Sequence, residues 1–252
     1  MNRSRQFSRY FTRPVLALTL AAIWAISGST IASEKWQFEL TPYIWGATIG
    51  GNVATGGGTP ISAPAPGDSS FFTLENLEGA AFLAFEARRG QWRLMLDGVY
   101  VSFADDVRSG PLLTISEKIK GYVFEAAIGY QLAQRPEWEL LAGARYFQIE
   151  NDLDLEPGPR AKSEKTWTDP LIGVRYTRPL SENWQFRARA DLGGFGVSAD
   201  LMQNYVLEFD YRMSERARLR LGYRYLKADF EKDRFVFDAS VKGPAIGVTI
   251  DF

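Results

Sequence analysis

A chain of 252 residues, 46% hydrophobic and 23% charged, is long enough to bury a sizeable core and does not have the composition of a disordered one. Its 29 Lys+Arg balance 30 Asp+Glu to a formal net charge of -1, so no basic excess points to nucleic acid. It has no cysteine, which excludes disulfides, a lipidated N-terminal cysteine and thiolate metal sites, and no histidine, which removes the commonest general base and transition-metal ligand.

At the N-terminus Arg3, Arg5, Arg9 and Arg13 precede the apolar run VLALTLAAIWAISG (15–28), and the small residues STIAS follow. That order is the n-region, h-region and cleavage site of a secretory signal peptide over residues 1–33, cut after Ala32 or Ser33. A membrane anchor would need roughly 20 apolar residues, more than this run supplies. Residues 34–252 are then one exported domain without a helical span.

From Glu34 onward apolar residues recur with period two. In WRLMLDGVY, Trp92, Leu94, Leu96 and Tyr100 share one face, while Arg93, Met95, Asp97 and Val99 share the other. WQFRARADLGG and RLRLGYRY repeat the pattern, with Arg187, Arg189 and Asp191, then Arg218, Arg220 and Arg224, on the polar face. Such alternation makes strands with one apolar and one charged face. Ten segments follow: 35–50, 76–89, 91–104, 113–132, 137–153, 165–178, 183–197, 201–213, 217–230 and 234–252. The connectors RRGQ, AQRPE, LSEN and SERA are short and polar, whereas several others are long, above all GGNVATGGGTPISAPAPGDSS. The fold class is therefore all-β: a ten-stranded antiparallel transmembrane β-barrel in up-and-down order. Eight or twelve strands are the alternatives, because 113–132 is long and 234–252 changes phase near Val241 and Lys242, as a bulge would make it.

A soluble periplasmic barrel would alternate too, with its charges outside. Aromatic placement argues for lipid instead. Trp36, Trp92, Trp138 and Trp184 each open a strand, the last three at a constant spacing of 46 residues. Tyr130, Tyr176 and Tyr211 close strands that run into the same short turns. Together they form a girdle at one height, as at a membrane interface.

TPYIWGATIGGNV, TDPLIGVRY, DLGGFGVSAD, LGYRYL and GPAIGVTIDF resemble stretches of a family of uncharacterised outer-membrane β-barrel proteins of Gram-negative bacteria, over Trp36 to Phe252. The resemblance implies the outer membrane and the barrel fold, and brings no activity with it. Phe252, with Ile246, Val248 and Ile250 behind it, is similar to the signature by which the barrel-assembly machinery recognises its clients, which makes that machinery and outer-membrane lipid the expected partners.

On the inward face the alternation places Arg88, Arg93, Arg145, Arg175, Arg187, Arg189, Arg212, Arg218, Arg220 and Arg224 beside Glu39, Glu78, Glu86, Asp97, Glu125, Glu139, Asp169, Asp191, Glu208, Asp210 and Asp251. A barrel of about eight strands is filled by its own side chains. At ten strands these charges interlock as filling, or line a narrow permeation path with Arg187, Arg189, Arg218, Arg220 and Arg224 along one wall, next to Glu208, Asp210 and Arg212. Adhesion through the long loops is the alternative role. An enzyme is not expected: Asp152 and Asp154 could serve as acid and base, but nothing places a nucleophile beside them. The cluster Glu150, Asp152, Asp154 and Glu156, like Asp105 and Asp106, fits no calcium loop, and GGNVATGGG lacks the Lys and helix of a phosphate loop. No cofactor or metal is expected, and a monomer is.

Overall fold

The computed structural model describes residues 35–54, 61–63, 76–108, 114–156, 158–232 and 235–252. The signal-peptide reading and most of the first long loop lie outside the described residues. The strands are β1 (Gln37–Trp45), β2 (Thr48–Ala54), β3 (Ile61–Ala63), β4 (Leu77–Arg89), β5 (Trp92–Arg108), β6 (Thr114–Leu132), β7 (Arg135–Glu156), β8 (Arg160–Pro179), β9 (Trp184–Gly194), β10 (Leu201–Arg212), β11 (Ala217–Lys232) and β12 (Phe235–Asp251).

From β4 onward each strand pairs antiparallel with the next, and β12 returns to β1, so the sheet closes. β1 and β2 are halves of one wall strand. Both pair with β12 in one unbroken register, Trp45 opposite Ala245 and Thr48 opposite Lys242. The interruption at Gly46 and Ala47 faces Pro244, which has no amide proton to give; Gly46 N–H donates instead to the Pro244 carbonyl at 2.8 Å. β3 is three residues long and pairs with β2 alone. The wall is therefore a ten-stranded antiparallel meander. Closure extends to Phe252: Phe38 N–H donates to its carbonyl at 3.1 Å, and its own N–H donates to the Phe38 carbonyl at 3.0 Å.

Short turns gather at the end that carries Phe252. Between Arg89 and Trp92 only Gly90 and Gln91 intervene, with Gly90 at φ 59°, the first loop position that a type II′ hairpin reserves for glycine. Tight curvature crowds the inner face. A Cβ at inward Gly143 would lie 2.2 Å from the Ala126 carbonyl oxygen, so only glycine lets the wall bend there.

Two expectations are corrected by the register. β11 and β12 pair from Ala217–Ile250 to Lys232–Phe235 without a shift, so there is no bulge at Val241 and Lys242 on that side. The phase of β12 is constant, and the chemistry of its inner face changes instead, from Thr249 and Asp251 to Phe235, Phe237, Ala239 and Val241. A bulge does occur between Leu77 and Gly79. It turns Glu78 out of the lumen to Lys118, 2.5 Å away, and to the Ser102 hydroxyl.

The barrel is inside out relative to a soluble protein. Ile44, Phe124, Ile172 and Leu207 point outward and are 66%, 50%, 59% and 52% exposed, while inward Arg145, Asp169, Asp191 and Glu125 are at most 1% exposed. An outward face this apolar is at home in lipid, and closure pairs the backbone around the wall, with the β1–β4 ladder running from Gln37–Arg88 to Pro42–Leu83. β7 and β8, at 22 and 20 residues, are about twice as long as a span requires, roughly 9–11 residues, and stand out beyond the apolar band at the loop end.

Candidate functional site

The lumen is built in tiers, and its middle is the most densely charged part of the molecule. At the turn end lies a vestibule of about 820 Å³, lined by residues such as Arg88, Gln131, Arg212 and Glu215. Above it, strand alternation brings arginines and carboxylates from nearly every strand to the axis.

The lower layer is one connected network. Arg93 reaches Glu86 at 2.7 Å and Glu139 at 3.2 Å, and Arg175 bridges the same two carboxylates, with Glu86 at 3.0 Å. Across the lumen Arg187 and Arg220 share Asp210, at 2.6 and 3.0 Å, with Glu208 at 3.6 and 3.9 Å. Arg218 holds Asp251 at 2.6 Å and Glu39 at 3.0 Å, which joins the closing strand to β1. Thr41 and Thr249 hydroxyls meet at 2.9 Å one inward position above Glu39 and Asp251.

The upper layer centres on Arg145, which has no exposure and ion-pairs with Glu125 and, at 3.0 Å, with Asp191. Arg189 binds the same two carboxylates at 2.6 and 2.8 Å. Asn204 donates to Asp191 at 2.7 Å and accepts from Arg224 at 3.1 Å; Arg224 in turn pairs with Asp97 at 2.6 Å, which also accepts the Tyr43 hydroxyl at 2.7 Å. Eight guanidinium groups are thus bound by nine carboxylates, as charges removed from water require.

The inward candidates therefore have different fates. Arg187, Arg189, Asp191, Glu208, Asp210, Arg218, Arg220 and Arg224 all enter the network, so the five arginines expected along an open wall are each tied to carboxylates. Arg212 does not. Its rung faces Arg218 at the ends of the strands, where the lumen widens into the vestibule, and it stands exposed to solvent while Arg218 takes the carboxylates. Asp169 is fully buried, yet its partners are backbone amides: Oδ1 accepts from Ser198 at 3.1 Å and Ala199 at 2.9 Å. It folds the β9–β10 connection inward, with Phe195 at φ 53°. Thr249 faces the lumen as the alternation of the last strand expects, whereas Tyr43, Asn204 and Thr41 are uncharged members that a search for charged residues passes over. Their inward phase in the alternation was the available signal.

Above Arg224 the inner face becomes apolar and surrounds a chamber of about 470 Å³ lined by Trp45, Phe82, Val99, Val123, Phe147 and Phe237 with their neighbours. Its floor meets the charged layer where the Arg224 guanidinium lies 5.1 Å over the Trp45 ring. Trp167 is sandwiched between Phe147 and Phe230, at 4.8 and 4.4 Å and nearly parallel, which ties β7 and β8 to β11 above the short β9–β10 pair. On the opposite side β1 and β4 pair only from Gln37–Arg88 to Pro42–Leu83. Among the described residues no ladder joins residues 43–50 to residues 77–82.

On the outer face at the turn end Trp92, Trp138 and Trp184 stand in register with Tyr130, Tyr176 and Tyr211, ring centroids 4.9, 4.9 and 5.0 Å apart. Trp36 stacks on Phe38, and Phe38 on Phe252 at 5.7 Å. A second aromatic set, Tyr100 with Tyr122 and Tyr205 with Tyr225, lies nearer the loop end.

Three members of the acidic row on β7 face outward, each with a cross-strand cation: Glu150 with Lys120 at 3.5 Å, Asp152 with Lys162 at 2.9 Å, Asp154 with Arg160 at 2.6 Å. The hydrogen bond from Lys162 holds the Asp152 carboxyl below the usual carboxylate range, and Lys118 does the same for Glu78. The side chains of Asp105, Asp106 and Glu156 lie outside the described residues. Among the described residues no cluster of three or more acidic groups is arranged to hold a metal.

No protein-family model matches the sequence, and no curated protein matches it. Similar solved structures include neisserial surface protein A, at 14% identity and TM-score 0.34, covering 86% of this chain and 96% of that one. Ail, the attachment invasion locus protein of Yersinia pestis, solved with the heparin analogue sucrose octasulfate, is similar at 12% identity and TM-score 0.39, covering 87% and 99%. The translocator domain of the autotransporter NalP from Neisseria meningitidis is similar at 10% identity and TM-score 0.40, covering 88% and 90%. The likeness is coarse and concerns the barrel alone.

Proposed function

We propose that this chain is an outer-membrane β-barrel with a sealed lumen, whose charged middle serves as a structural plug and not as a passage. The single observation that carries the reading is Arg145, unexposed and locked between Glu125 and Asp191 at the centre of an ion-paired layer. A conducting path needs binding weak enough for an ion to leave again. Here the groups that would coordinate a permeating ion already satisfy one another. The turn end, with its Trp and Tyr pairs, is the periplasmic side, and the extended β6–β7 and β7–β8 ends face outward from the cell. Phe252 serves as the mark read by the assembly machinery.

Swelling of proteoliposomes in isotonic arabinose tests the seal. The expected rate is that of protein-free vesicles; swelling at the rate given by an open porin contradicts it.

A further inference from the structure

The β9–β10 hairpin stops where its neighbours continue. β9 and β10 are 11 and 12 residues long, little more than the roughly 9–11 that a span needs, whereas β8 and β11 beside them run for 20 and 16. The connection between the two strands is held in a fixed shape. Asp169 Oδ1 accepts from the Ser198 and Ala199 N–H groups, and the Ser198 hydroxyl donates to the Thr168 carbonyl at 2.9 Å. Within the loop, Val197 N–H donates to the Gly194 carbonyl at 2.9 Å and Gly196 N–H to the Ala199 carbonyl at 3.0 Å. Three successive residues then lie in the left-handed region, Gly194 at φ 87°, Phe195 at 53° and Gly196 at 72°. Glycine adopts it freely, but Phe195 does not, and among the described residues it is the only non-glycine with a positive φ. Glycine or asparagine would make the same turn with less strain, so the turn does not account for the ring. Exposure sharpens the point: Phe195 is 53% and Val197 67% exposed, while Ala199 has no exposure.

The outer face of the hairpin supplies the partner. Every outward residue of β9 from Trp184 to Leu192 is apolar, and on β10 Gln203 is the one outward residue between Tyr211 and Leu201 that is neither aliphatic nor aromatic. On β7, β8 and β11 the outward face turns charged before the strand ends, at Glu150, Glu164 and Lys227. On the hairpin the lipid-facing column instead runs on into Phe195 and Val197. We propose that these two side chains are a lipid anchor, inserted among the acyl chains of the outer leaflet, and that their burial there offsets the strained backbone of Phe195. Water offers no such gain, because it is the poorer solvent for large apolar side chains. The proposal rests on the barrel spanning a membrane with its turn end on the periplasmic side, and is independent of whether the plug conducts.

The sequence has no cysteine, so one introduced thiol labels one place. A nitroxide is attached at Val197→Cys in phosphatidylcholine vesicles. Its collisions with oxygen, which partitions into hydrocarbon, are compared with those with a water-soluble nickel chelate. Two other single-site variants set the scale: Leu207→Cys on the outward band and Glu164→Cys on the part of β8 that stands beyond it. If the Leu207→Cys label is as open to nickel as the Glu164→Cys label, the membrane reading itself fails. On that scale the Val197→Cys label is expected to read as Leu207→Cys does, with frequent oxygen and rare nickel collisions. Nickel collisions as frequent as at Glu164→Cys overturn the proposal and leave the tip free for a protein partner. A nitroxide is itself apolar, so the ring is tested too. Phe195→Asn keeps a residue that tolerates the left-handed region and removes the anchor. Nickel access of the Val197→Cys label should then rise toward the Glu164→Cys value. Unchanged access also overturns the proposal, because the label and not Phe195 is then seeking the lipid.

Discussion

Arg145 and its two carboxylates have no solvent to turn to, and breaking such a set costs more than the set contributes intact. Arg145→Ala leaves Glu125 and Asp191 with only Arg189 between them, and is expected to destabilise the barrel by about 3–5 kcal/mol. Urea unfolding in phospholipid vesicles measures it; a loss within the range of a surface substitution, about 0.5 kcal/mol, contradicts the buried network. Asp152 at the outer rim behaves differently, because it is solvated. Its carboxyl is held down by the Lys162 hydrogen bond, so the pair's contribution is present at neutral pH and fades as pH falls through the lowered value. Lys162→Ala should move the Asp152 carboxyl-carbon titration up toward the ordinary aspartate range. No movement would dismiss the pair. At this scale, which side chains point inward could be read from alternation, but who pairs with whom could not. Arg175 meets Glu86 from 89 positions away, a contact that only closure of the sheet creates.

β12 shows what an element adds. Its outer positions Ile246, Val248 and Ile250 face lipid, and Phe252 completes the seam with Phe38 through two backbone hydrogen bonds and a stacked ring. Removing Phe252 takes away one rung among many, so an already folded barrel should keep nearly all of its stability. Delivery to the outer membrane should fall sharply if Phe252 is the assembly mark. Unchanged outer-membrane levels by fractionation would count against that role. The strand itself, its face and its register were legible, since period-two alternation and the 46-residue Trp spacing both derive from the hairpin repeat. The apparent phase change at Val241 and Lys242 was misread. In the loop half of β12 the alternation persists with its faces exchanged, Phe237, Ala239 and Val241 inward and Asp238, Ser240 and Lys242 outward, and that exchange marks the chamber. Glu78 was misplaced for another local reason: a one-residue bulge reverses the facing of what precedes it.

For the molecule as a whole, the sequence of tiers follows from where each strand stops being charged inside. The vestibule, the ion-paired middle and the apolar chamber are stacked along one axis, so the plug separates a polar vestibule from an apolar chamber. The ten-stranded wall was legible because its even count and connector lengths reflect closure. The three tiers were not, because they depend on heights that strand tilt sets across non-neighbouring strands. A seal made this way is a statement about ions before any other solute. Single-channel recording of the refolded barrel in a planar bilayer therefore tests the central claim most directly. Current indistinguishable from the bare membrane is expected for the wild type. Discrete openings whose ion selectivity shifts on Arg145→Ala or Arg224→Ala would contradict a sealed lumen and make the charged layer a filter.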